Sequence, residues 1–150
     1  MTNSRNKGAS FEREIANELT TRLELKHQLK RILEQTREKH LPDLILGRWY
    51  LECKRYGSGN EPMDSWWEQV ISASGRDKIP ALIYKFDRRP IKVRVPLSIL
   101  NENFSFNENI TCDLSFDDFI TLIKTEFSED LENHNNKPVS YTHLRAHETA

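Results

Sequence analysis

Three features of the chain predict an α/β fold in which a mixed central β-sheet is flanked by helices. First, Pro42 to Tyr56 holds two short runs rich in apolar, β-branched and aromatic residues, Asp43 to Leu46 and Trp49 to Tyr56, around Gly47-Arg48. That pattern suits a hairpin closed by a two-residue type II′ turn. Second, a helical segment from Ser65 to Ser74 separates this hairpin from two further strand-like runs, Ile79–Phe86 and Ile91–Val95. A crossover helix between strands of one sheet makes their pairing parallel, beside the antiparallel hairpin. Third, amphipathic stripes near both ends supply helices to cover the sheet.

The 150 residues, 37% of them hydrophobic and with few glycines and prolines, suffice for one domain with a real core. The formal net charge of −1 conceals an uneven division. Residues 1–95 carry 19 Lys plus Arg against 13 Asp plus Glu, and residues 96–150 carry 3 against 10. A basic front part suits a polyanionic partner, although a solvated helix face is the default reading of any single Lys or Arg. Cys53 and Cys112 are the two cysteines and form no C-x-x-C spacing, so neither a disulfide framework nor a zinc site is indicated. The polar start lacks the apolar run of a signal peptide, and no stretch approaches the ~20 apolar residues of a membrane span. A reducing cytoplasm is the expected compartment.

From Lys7-Gly8-Ala9-Ser10 the chain is expected to enter a helix, with Ser10 as N-cap and Phe11, Ile15, Leu19 and Leu23 on one apolar stripe. Glu12 and Glu14 flank that stripe; either can reach the edge of a neighbouring sheet, and both equally suit the dipole of a first helical turn. Leu25, Leu29 and Leu33 have helical spacing, but Leu29 to Glu34 also reads as a strand, and a strand near residues 29–35 would partner the hairpin, which alone is marginal in water.

In the hairpin, a turn at Gly47-Arg48 sets Leu46 opposite Trp49, Ile45 opposite Tyr50, Leu44 opposite Leu51 and Asp43 opposite Glu52. Alternation puts Lys54 on the face of Glu52, about 7 Å along, and Cys53 on the core side. Two opposed carboxylates weaken a sheet unless a cation neutralises them, so the pair is a candidate divalent-metal site with a lysine beside it. Gly57 to Pro62 is a loop. Ser65-Trp66-Trp67-Glu68 reads as a capping box and Gly75 as the helix stop. Trp67, Val70, Ile71 and Ser74 share one face, and Trp66, Gln69, Ala73 and Arg76 the next, with Gln69 its polar member near the hairpin. Pro96 to Leu100 leaves the sheet as a short helical turn, Asn101 to Asn109 is polar, and Ser115-Phe116-Asp117-Asp118 opens a last helix through about Phe127.

Pro42-Asp43, eight residues, then Glu52-Cys53-Lys54 match the motif for which PD-(D/E)XK nucleases are named. Lys7-Gly8-Ala9-Ser10-Phe11-Glu12-Arg13-Glu14 resembles the opening helix of archaeal-type Holliday junction resolvases. The runs Leu33 to Glu38, Trp66-Trp67-Glu68-Gln69 and Arg88-Arg89-Pro90 resemble small phage-encoded nucleases of the superfamily. The resemblance spans roughly residues 7–100 and implies a restriction-endonuclease-like fold. It also implies that Glu12 is a third carboxylate and Gln69 an accessory site residue. On that footing the expected activity is that of a Mg²⁺-dependent DNA endonuclease. Asp43, Glu52, the Cys53 backbone carbonyl and Glu12 would hold Mg²⁺, or Mn²⁺ in its place, with Lys54 serving the nucleophile and Arg13, Arg55, Arg88 and Arg89 gripping DNA. A branched substrate needs two cuts, so the resemblance implies a homodimer, in a host cytoplasm if the chain is phage-encoded. Two alternatives stand beside it: a non-cleaving DNA-binding or assembly protein of the same fold, and a structural α/β domain whose Asp43 and Glu52 lie on opposite faces.

The expected organisation is a nuclease domain over 1–100, an acidic extension with one helix over 101–137, and a tail over 138–150. That tail resembles translated sequencing-adapter read-through and enters no fold argument. Its His143 and His147 have helical metal-pair spacing without an acidic partner.

Overall fold

The computed structural model describes residues 4–32 and 41–136. Five strands form one sheet in the order β1-β2-β3-β4-β5. They are β1 (Leu44–Leu46), β2 (Trp49–Tyr56), β3 (Ile79–Phe86), β4 (Lys92–Pro96) and β5 (Thr111–Ser115). β2 and β3 run parallel, as the crossover predicts, and every other neighbouring pair is antiparallel. Four helices accompany them: α1 (Ser4–Arg22), α2 (Asp64–Ser74), α3 (Phe116–Glu126) and α4 (Ser128–Asn136), with a 3-10 turn at Leu97–Ile99.

The sheet divides two cores by alternation. Trp49, Leu51 and Cys53 of β2, with Ala81 and Ile83 beside them, point to the side where Phe11, Ile15 and Leu19 of α1 and Phe119 and Ile123 of α3 pack. The opposite face carries Leu82, Tyr84 and Phe86, covered by Trp66, Trp67 and Val70 of α2. Trp66 stacks between Tyr56 and Phe86, so it is a packing residue. Glu52 and Lys54 are the register partners of Leu82 and Tyr84 and therefore lie on this second face. Cys53, 6% exposed, faces the core as expected.

Several local expectations are corrected. Helix α1 begins at Ser4, so Ser10 lies inside it and caps nothing. Helix α2 begins at Asp64 with Met63 as its N-cap and no capping side chain; Ser65 sits within the first turn and the capping box is not formed. Its stop is as expected, Gly75 at φ +60 with its N–H donated to the Ile71 carbonyl. Residues 29–32 are irregular rather than a strand, and one bond, from the Ile32 amide to the Asp43 carbonyl at 2.9 Å, ties them to the hairpin. The hairpin's partner is β3 instead. The remainder of that expected strand, residues 33–35, and the Leu33 to Glu38 run lie outside the described residues, as does the tail from 137. Residues 101–136 hold not one helix but a strand and two, and β5 and α3 join the same sheet and core as α1.

Candidate active site

The hairpin has the predicted register: Leu46 opposite Trp49, Ile45 opposite Tyr50 and Leu44 opposite Leu51. Gly47 has φ +57, and Arg48 is not in the positive-φ region, which is the type II′ pattern. The ladder stops at Leu44. Asp43 does not pair with Glu52 through the backbone; its amide donates to the Leu51 carbonyl at 3.0 Å, and its carboxylate Oδ2 accepts the Cys53 amide at 2.8 Å. The two carboxyl groups meet nonetheless, because Asp43 turns over the end of β1 toward the face on which Glu52 stands.

Glu12 comes from α1 and reaches the same spot. Glu12 and Asp43 lie close enough to act on each other's ionisation, and so do Asp43 and Glu52. Burial is the leading reason that all three pKa values are pushed up to about 7; the Glu52 charge adds to the effect on Asp43, and Asp43 adds to that on Glu12. Opposing it, Lys54 Nζ stands 3.9 Å from Glu52 Oε1, and Arg31 Nη2 lies 3.2 Å from Glu12 Oε2. Glu52 is 2% exposed. Burial also drives the Cys53 thiol well above its ordinary pKa, so it stays protonated and its contribution to the site is its backbone.

No three His, Cys, Asp or Glu side chains among the described residues already surround a common cation position. Ionised together, the three carboxyls repel one another, which a cation among them would relieve. A hard divalent cation fits this donor set, which is all oxygen: Asp43 and Glu52 as carboxylates, the Cys53 carbonyl between Glu52 and Lys54, and Glu12. Binding would favour the ionised carboxylates, and neutral pH is where carboxyls with pKa values near 7 lose their protons at least cost.

The other expected residues fall in different places. Gln69 is half-buried on α2, the helix that covers the Glu52 face, and makes no hydrogen bond to the three carboxyls among the described residues. Arg13 is exposed beside Glu12, and Arg88 and Arg89 are exposed in the turn between β3 and β4. Arg55 is instead engaged with Asp87, at 3.4 Å from both Nε and Nη2. Arg31 was not anticipated as a site residue: it lies in the stretch read as a strand, and only its position two residues beyond Leu29, which packs on α1, hints that it can reach Glu12.

The family model described as "Phage putative PDDEXK endonuclease" matches residues 3–140. No curated protein and no solved structure matches the chain. The match covers nearly the whole length of a chain built on a mixed sheet, and the chain belongs to the phage PDDEXK endonuclease family.

Proposed function

We propose that this chain is a Mg²⁺-dependent DNA endonuclease that hydrolyses phosphodiester bonds of branched DNA, resembling Holliday junction resolvases, with Mn²⁺ able to replace Mg²⁺. The observation that carries the reading is the cluster of three mutually interacting carboxyl groups, Glu52 buried and Asp43 and Glu12 partly so, ending 3.9 Å from Lys54. A structural domain would gain nothing from concentrating three acids in a site that raises the pKa of each.

Bound there, a divalent cation polarises the scissile phosphate and lowers the pKa of its water. Asp43 and Glu52 would hold it, with the Cys53 carbonyl and Glu12 completing the oxygen set. Asp43 is oriented for this by the Cys53 amide at 2.8 Å, and Glu12 by Arg31. Lys54 stands on the same face as Glu52, where its ammonium positions the attacking water and steadies charge developing on the phosphate. Gln69, on the helix above that face, is an accessory residue that steadies the water or the strand. Arg13, Arg88 and Arg89 hold the DNA backbone without reading bases, and Arg55 joins them when it exchanges Asp87 for phosphate. Two cuts on one junction require two sites, which a homodimer supplies. The host cytoplasm is the setting that a phage family favours.

Nicking of a four-way junction, a flap and a linear duplex in Mg²⁺ tests this. Wild type is expected to cut the branched DNA best, and Asp43→Asn, whose amide cannot replace the carboxylate charge, to lose cleavage by at least about a hundredfold while still binding. Equal cutting of all three DNAs removes the branched preference. No cutting of any of them with Mg²⁺ or Mn²⁺ would leave a DNA-binding or assembly protein of the same fold.

A further inference from the structure

Beside Glu12, on the side away from Lys54, a shallow cleft of about 340 Å³ opens between α1 and residues 28–31. Arg13 lines one wall, and Lys30 and Arg31 the other. No acidic side chain lines it, and among the described residues neither Arg13 nor Lys30 has a carboxylate within ion-pair distance. Arg31 uses Nη2 on Glu12, and its buried Nε has no partner among the described residues. Elsewhere Arg22 is matched by Asp117, Arg48 by Asp130 and Arg94 by Asp113. Two unpaired cations beside a third that already shares Glu12 leave a positive charge in the cleft that an anion would neutralise.

The cleft is also built rather than fortuitous. Gln28 Nε2 donates to Asn17 Oδ1 at 2.9 Å across its floor and to the Leu29 carbonyl at 3.1 Å, and the Leu29 amide donates to Thr20 Oγ1 at 2.9 Å. These bonds hold an irregular segment in place against a helix. One turn earlier, Asn135 of α4 accepts the Lys26 amide at 2.8 Å, and the His134 ring N–H donates to the His27 carbonyl at 3.0 Å. The wall bearing Lys30 and Arg31 is thereby fixed from both sides, and cations on fixed backbone can be placed around one phosphate.

We infer that this cleft binds a backbone phosphate of the DNA strand flanking the one being cut, with Arg13 and Lys30 as its direct ligands and Arg31 joining it to Glu12. Lys30 and Arg31 thus become substrate-positioning residues: the cleft fixes where the strand lies, and the shared Arg31 sets its distance from the carboxyls. The inference rests on the nuclease reading for the identity of the strand, but not for phosphate binding itself.

The test uses the full chain, a fluorescently labelled DNA of the form it cuts, and Ca²⁺ in place of Mg²⁺ so that binding is read without cleavage. A set of otherwise identical DNAs carries one uncharged methylphosphonate at successive positions. For wild type, neutralising one position near the scissile phosphate is expected to weaken binding about tenfold. In R13A/K30A, binding to unmodified DNA falls by a similar factor, the slope of log K against log salt becomes shallower by about 2, and neutralising that same position has no further effect. Both residues are exposed, so an unchanged melting temperature serves as the folding control. R13A/K30A binding with wild-type affinity and slope overturns the inference. So does a loss in R13A/K30A that leaves the methylphosphonate penalty at every position intact, since that describes a diffuse field and not a site. A wild type that binds but cuts nothing in Mg²⁺ or Mn²⁺ defeats the nuclease reading while the methylphosphonate result still decides the cleft.

Discussion

The carboxyl trio costs the fold stability at neutral pH. Each of Glu12, Asp43 and Glu52 has a folded-state pKa near 7 against an ordinary value near 4, chiefly because of burial. A group whose pKa is raised on folding stabilises the fold fully below its unfolded pKa, and that contribution is lost as pH climbs through the folded value. Without divalent cation the protein is therefore expected to lose on the order of a few kcal/mol between pH 5 and pH 8, since each pKa unit is worth about 1.4 kcal/mol and the three titrate as a coupled set. Melting temperature measured across that range in chelator checks it, and a flat profile would sink it. Asp43→Asn removes the central charge while its amide oxygen can still accept the Cys53 amide, so at pH 8 it should melt higher than wild type even though it no longer cuts. Adding Mg²⁺ or Mn²⁺ at pH 8 should raise wild type and leave the variant nearly unmoved. At this scale the sequence was informative where spacing alone decides: a two-residue turn brings Asp43 and Glu52 together, and period two sets Lys54 beside them. It was silent on Arg31, because no local pattern says that a cation in an irregular segment will fold back onto a carboxylate nineteen positions earlier.

Elements were legible in proportion to how much apolar periodicity they carry. The hairpin, β3, β4 and α3 each bury a regular face, and their bounds were recovered closely; at the start of α3 the Ser115 side chain accepts the Asp118 amide. β5, Thr-Cys-Asp-Leu-Ser, is a short edge strand with no fully buried residue, so nothing in its pattern distinguishes it from a loop. It is held instead by polar contacts: Arg94 Nε and Nη2 grip Asp113 at 2.7 and 3.0 Å, and the Tyr84 hydroxyl donates to the same carboxylate. Burial alone would raise the Asp113 pKa, but these partners hold it below its ordinary value. The 29–32 segment shows the converse: Leu29 and Ile32 are buried without strand pairing, so apolar content there reported burial and not conformation. α4 was missed because it is short and mostly polar, yet it clamps the β1–β2 hairpin. Its Asp130, 1% exposed, accepts the Arg48 amide at 2.8 Å and its guanidinium at 3.0 and 3.2 Å. A Cβ on Gly47 would fall 2.6 Å from Asp130 Oδ1 and 2.7 Å from its Cβ. Gly47→Ala is thus expected to cost roughly 1–3 kcal/mol in backbone strain at φ +57 and a similar amount in overlap with α4. In an Asp130→Ala background the Oδ1 overlap disappears while the Cβ contact at 2.7 Å stays, so adding Gly47→Ala should cost less than it does in wild type. Urea midpoints of the two single variants and the double measure this coupling, and strict additivity would mean that α4 does not press on the turn.

For the whole molecule, the charge division along the sequence turns into a pattern of neutralisation in space. Asp113 and Asp130, from the acidic last third, are spent on Arg94 and Arg48, and Asp117 pairs with Arg22 at 2.7 Å. The acidic part is therefore not a separate acidic body but a set of counter-charges that fastens β5, α3 and α4 to the basic front while cancelling selected cations there. Among the cations left without such partners in the described residues, Arg13 and Lys30 lie next to Glu12, and Arg88 and Arg89 lie in the β3–β4 turn. Unmatched exposed positive charge suits the phosphates of nucleic acid, the substrate class an endonuclease family implies. Net charge is consequently a poor guide to DNA affinity here, and location is a good one. Removing two neutralised cations, as in R22Q/R94Q, should leave the salt dependence of DNA binding nearly unchanged. R88A/R89A, which removes the same number of cations but unmatched ones, should make the slope of log K against log salt shallower by about 2 and weaken binding about tenfold at moderate salt. Anisotropy titrations at several salt concentrations, again in Ca²⁺, distinguish the two. Equal slopes for the two variants would show that DNA responds to the summed charge of the molecule and not to its placement around the site.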